Sequence, residues 1–159
     1  MIVFSNTTPF MALASIGQID LLPQIFGKIH VADAVIEECA EGGRIFVPDL
    51  RELGWIVPEG EIKGVQSSIL LELDRGEKQT ISIALARNAD KIIMDERLGR
   101  RLAEYLGLGV TGTLGVLAKA RSVGLIRSFR SAAREMQQQG IYFNADLIDR
   151  LAYQLGELP

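Results

Sequence analysis

Apolar residues in this chain fall into short runs that alternate with longer amphipathic stretches. Ile2-Val3-Phe4, Ile29-His30-Val31 and Ile92-Ile93-Met94 are brief, nearly all-apolar segments, and Gly109-Val110-Thr111 is a shorter one. Segments of this length and composition predict strands buried on both faces. Between them the apolar period lengthens to that of a helix. Thr8 and Pro9 suit the start of a helix that Gly17 ends. Leu21 to Phe26 predicts a second helix, and Asp33 caps a third that Gly42-Gly43 stops. Trp55-Ile56-Val57-Pro58 predicts an edge strand, because Pro has no N–H for a central ladder. Helices are further predicted over 62–73, from Glu77 to Asn88, and from Glu96 to Leu106 with Leu98, Leu102 and Leu106 as its apolar stripe. Three more follow over 113–123, 128–139 and 144–155.

Strands alternating with helices imply an α/β fold with a parallel sheet covered on both faces. The 159 residues suit one domain, with about 126–159 as a helical extension of it. In such sheets ligands bind beyond the carboxyl ends of the strands. Four polar positions fall near that rim. Asn6 follows the first strand and Asp95 follows Ile92-Ile93-Met94, while Glu38 and Glu77 lie on helices. At about 100° per residue, Glu77 shares a face with Ile81, Ala84 and Leu85, and Glu38 flanks the Val35/Cys39 stripe. Taken one at a time, each has an ordinary use: a helix-dipole partner, a cap, a solvated rim residue or a turn asparagine. Gathered together, their carboxylates would repel one another without a cation, and oxygen donors suit Mg²⁺ or Mn²⁺ rather than Zn²⁺.

Charge and composition narrow the classes further. The net charge of −3 excludes a basic nucleic-acid coat, yet residues 1–80 carry a net −6 and residues 81–159 a net +3. One cysteine and one histidine, Cys39 and His30, exclude an internal disulfide and a multi-His centre. No secretory leader or 20-residue apolar span is evident, which predicts a cytoplasmic chain. Gly107-Leu-Gly-Val-Thr-Gly112 spells the dinucleotide fingerprint, but its first glycine closes a helix and its middle is a strand. The fingerprint's acidic residue is also missing, since position 132 is Ala. No Walker A motif is present. A response-regulator-like fold would need a phosphoacceptor Asp, and the first strand ends at Asn6.

The segments 5–14 (Ser-Asn-Thr-Thr-Pro-Phe-Met-Ala-Leu-Ala), 35–38 (Val-Ile-Glu-Glu), 74–86 (Asp-Arg-Gly-Glu-Lys-Gln-Thr-Ile-Ser-Ile-Ala-Leu-Ala), 93–103 and 110–117 resemble, in order and spacing, the PIN-domain family. The resemblance is closest to its prokaryotic branch, similar to ribonuclease toxins of type II toxin–antitoxin pairs. It spans residues 1 to about 125. It implies a three-layer α/β/α sandwich with a central parallel sheet of about five strands. It also implies an Mg²⁺- or Mn²⁺-dependent hydrolase that cleaves RNA, with a small antitoxin or a second copy as protein partner. Residue by residue, it places metal ligands at Asn6, Glu38, Glu77 and Asp95, the last three catalytic, and hydroxyls beside the site at Thr7 and Thr113. Arg97, Arg100 and Arg101 follow Asp95 closely enough to hold RNA phosphates, or they form an exposed basic helix face. Asn6 departs from the family's aspartate: it keeps an oxygen donor and loses one negative charge. That change favours an alternative, a weakened or inactive PIN-like module that binds RNA or protein.

Overall fold

The computed structural model describes residues 1–62 and 68–159. Five strands form one all-parallel sheet in the order β3-β2-β1-β4-β5. They are β1 (Val3–Ser5), β2 (Ile29–Ala32), β3 (Ile56–Glu59), β4 (Lys91–Ile93) and β5 (Val110–Thr111). The helices are α1 (Thr7–Ser15), α2 (Leu21–Phe26), α3 (Asp33–Ala40), α4 (Arg75–Ala86), α5 (Arg97–Tyr105), α6 (Thr113–Ser122), α7 (Phe129–Gln138) and α8 (Ala145–Gln154). Helices cover both faces of the sheet in the three-layer α/β/α arrangement. Val3, Phe4, Ile29, Val31, Ile92 and Ile93 are fully buried, as strands sandwiched between helices must be. Phe129, Ala133 and Met136 of α7 and Ile148 and Ala152 of α8 join the same apolar cluster.

β3 lies at the sheet edge, where Pro58 pairs in register with Val31 and needs no N–H on its outer side. The chain runs outward from β1 through β2 to β3, then returns to β4 on the other side of β1. The strand order therefore reverses between β1 and β4, which opens a crevice at their carboxyl ends. The Asn6 N–H donates to the Ile93 carbonyl at 3.2 Å and ties the two strand ends together.

Three local expectations are corrected. Of the helix expected over 62–73, residues 63–67 lie outside the described residues, and the described part holds only a 3₁₀ turn, Ser68–Leu70. α4 starts two residues before Glu77, because the Asp74 carboxylate accepts the Glu77 N–H at 2.8 Å and caps the helix. On α5 the fully buried positions are Gly99 and Ala103, while Leu98 is 37% exposed. This helix approaches the crevice through its small residues, while Leu102 and Leu106 pack partly buried against the core. Among the described residues, no helix is long and apolar enough to cross a membrane.

Candidate metal centre

Asn6 is the N-cap of α1, yet its side chain makes no capping bond. An asparagine in that position ordinarily accepts an N–H from its own helix. Here Oδ1 is buried without a hydrogen-bond partner, in a residue only 5% exposed. Glu77, in the first turn of α4, is 8% exposed, and its Oε2 is likewise buried and unpartnered. Asn6, Thr7, Glu38, Asp74, Glu77 and Glu96 line one cavity of about 280 Å³. Glu38 is half-buried on α3, and the Thr7 hydroxyl donates to its Oε2 at 2.7 Å.

Two glycines make room for these carboxylates. A Cβ on Gly76 would stand 2.5 Å from Glu38 Oε1. A Cβ on Gly99 would stand 2.6 Å from Met94 Sδ, 3.0 Å from Glu77 Oε2 and 3.5 Å from Glu96 Oε2. Either side chain would occupy space that the acids now use.

The electrostatics of the cavity are those of crowded anions. Burial, followed by the hydrogen bond and charge of Asp74 and then the charge of Glu96, pushes the Glu77 carboxyl up to about 8. Glu96 moves the opposite way. Burial works against its charged form, but the N–H groups of Gly99 and Leu98 outweigh burial and hold it below the usual carboxylate range. Glu77 therefore has acceptor-only neighbours in Asp74 and Glu96, and only a proton or a cation can relieve it.

The structure brings Asn6, Glu38 and Glu77 to one cavity, with Thr7 beside them. Asp95 stands at the end of β4 but does not line that cavity. Its Oδ1 accepts the Thr113 N–H at 2.8 Å and its Oδ2 the Thr113 hydroxyl at 2.5 Å, so it fastens the start of α6 to the strand end. Arg100 is half-buried and turns Nη1 toward the Met94 carbonyl at 3.5 Å, while Arg97 and Arg101 are exposed on the same helix. Asp74 and Glu96 were not among the candidates drawn from the sequence. Asp74-x-x-Glu77 is a helix-start pattern that marks residue 74 as a cap. Glu96 directly follows a strand-end acid, and only the packing of α5 turns it toward Glu77.

Among the described residues, no three acidic, imidazole or thiol side chains already converge as a closed metal-ligand set. The kind of donor nevertheless fits a hard divalent cation: carboxylate and amide oxygens, two of them buried with no donor to accept from. Residues 2–157 match the family model described as the PIN domain. The chain belongs to the PIN-domain family. The match extends past about residue 125, where the resemblance ended, and takes in α7 and α8. No curated protein and no solved structure gives a significant match. PIN domains are generally nucleases that act on nucleic acids and typically use divalent metals.

Proposed function

We propose that this PIN domain is a divalent-metal-dependent endoribonuclease and the toxin of a toxin–antitoxin pair. The observation that carries the reading is the pair of buried, unpartnered oxygens, Asn6 Oδ1 and Glu77 Oε2, in a cavity otherwise lined by carboxylates and hydroxyls. Such oxygens are costly to bury unless something compensates them. Asn6, Glu38 and Glu77 would hold Mg²⁺ or Mn²⁺, joined by Asp95 through the lone pair that Thr113 leaves free on each of its oxygens. When bound, the cation lowers the pKa of a water and offsets charge on the phosphoryl group under attack. Glu77 or Asp95 accepts the proton of the attacking water. Thr7 keeps Glu38 turned toward the cavity, and Thr113 keeps Asp95 at the strand end. Arg97, Arg100 and Arg101 hold the RNA backbone beside the site.

As a toxin the protein would need a small antitoxin that covers the acidic mouth and a cytoplasmic RNA target. A homodimer through the C-terminal helices is a second assembly, and exposed Tyr142 and Tyr153 lie on that side of the chain. Mn²⁺ titration followed by RNA cleavage, with EDTA as control, tests the proposal. Asp95→Asn is expected to abolish cleavage while the fold survives, and cleavage at the wild-type rate would end the assignment. Asn6→Asp is expected to tighten Mn²⁺ binding in calorimetry; no change would place Asn6 outside the ligand set.

Asn6 itself favours a second reading, a PIN module that binds RNA without cutting it. Metal-independent RNA binding with no cleavage in Mn²⁺ would select it.

A further inference from the structure

The proposed site lacks one negative charge at Asn6, and the structure holds a carboxylate in a place to return it. Glu96 lines the same cavity as Asn6, Glu38 and Glu77. Its Oε2 accepts the Gly99 N–H at 2.7 Å, which fixes the side chain at the start of α5. The same oxygen and Glu77 Oε2 both flank Gly99, where even a methyl group would crowd them. Two carboxyl groups are thus held close, and the buried Glu77 Oε2 has no N–H or hydroxyl donor to accept from, so only a proton or a cation between them relieves the pair. Glu96 is exposed at the mouth of the cavity, and it caps α5 with its Oε2 on the side of Gly99 that faces Glu77. Asn6 is only 5% exposed, makes no side-chain hydrogen bond to the helix it begins, and presents an unpartnered oxygen to the same cavity.

We propose that Glu96 is an additional ligand of the divalent cation and supplies the charge that Asn6 lacks. The inference rests on the metal-centre reading above. With Glu38, Glu77 and Asp95, it restores four carboxylates to a site whose first position is neutral. Charge count is a principal determinant of affinity for hard cations. Asp74 is the competing candidate, because it lines the cavity from the α4 side.

The test is Mn²⁺ binding by the full chain, read by calorimetry and by the electron paramagnetic resonance of free Mn²⁺, without any substrate. Glu96→Gln and Glu96→Ser both remove the charge. The serine keeps a capping oxygen for α5, so a folded variant remains for measurement. Each is expected to weaken Mn²⁺ binding by about tenfold or more. Adding Asn6→Asp to Glu96→Ser is expected to recover most of that loss, because the charge returns at the other position. Glu37→Gln, which changes an exposed carboxylate paired with Arg75, is the unaffected control.

Wild-type affinity in both Glu96 variants would overturn this inference and leave the metal centre standing. Loss of binding in Asp74→Asn with none in the Glu96 variants would assign the charge to Asp74 and likewise overturn it. Failure of Asn6→Asp to restore binding would overturn the compensation. Absence of Mn²⁺ binding by the wild-type protein would overturn the parent reading instead.

Discussion

Glu77 should make the metal-free protein less stable as pH rises through the neutral range. Its carboxyl is pushed up to about 8 in the folded chain, against 4.5 for an ordinary glutamate. Between those values the folded state keeps a proton that the unfolded state has released. The stability this provides is complete below pH 4.5, falls across the window and is exhausted above about 8. The slope for one such group approaches about 1.4 kcal/mol per pH unit, so the loss between pH 5.5 and 7.5 is roughly 2–3 kcal/mol. For a chain of this size that corresponds to a urea midpoint lower by about 1 M. Other shifted groups titrate elsewhere. Glu96 and Glu157 are lowered and act below the ordinary carboxylate range, whereas burial pushes the Cys39 thiol up to about 12. Urea unfolding in EDTA, followed by circular dichroism at several pH values, measures the effect against Glu77→Gln. The amide stays neutral and can donate to Asp74, so the variant should lack this part of the slope. Parallel pH profiles for the two proteins would refute the argument, as would a wild-type stability that rises relative to the variant over this window.

Divalent metal should reverse that trend. Mn²⁺ must displace the Glu77 proton, so it is expected to raise the melting temperature more at pH 8 than at pH 6; an equal or opposite dependence would count against Glu77 as a ligand. Gly76→Ala should separate stability from binding. The helix gains up to about 1 kcal/mol from Ala, whereas the new Cβ displaces Glu38, so unfolding should be no easier while Mn²⁺ binds more weakly. Unaltered Mn²⁺ affinity in that variant would show that Glu38 needs no such approach. Gly99→Ala meets Met94 and Glu77 in a buried position and should cost about 1–3 kcal/mol in urea unfolding. Thr113→Val removes the hydroxyl that donates to Asp95 Oδ2 but keeps the backbone bond, and should destabilise the fold by about 1–3 kcal/mol in the same assay. A loss well below that would mean solvent replaces the hydroxyl.

The strands and most helices were legible in the sequence because they depend on local period and on breakers. Val3-Phe4, Ile29 to Val31 and Ile92-Ile93 could only be buried strands. Gly27 closes α2 with a positive φ of 75°, a conformation that glycine adopts without strain. The burial of Glu77 was also legible, since a carboxylate in phase with Ile81 and Ala84 must share their environment. What the sequence by itself determined is thus most of the elements and, on helices such as α4, the face a residue occupies. Which acids meet was decided by the tertiary structure. Asp95 and Glu96 are neighbours in the chain, yet one closes β4 onto α6 through Thr113 and the other turns to Glu77 across Gly99. Of the stripe expected at Leu98, Leu102 and Leu106, the last two pack against the core, while Leu98 is exposed and the fully buried positions are the small Gly99 and Ala103. Helical period fixes direction about one axis, whereas the distance between carboxylates depends on how closely two helices pack, and local pattern carries no record of that.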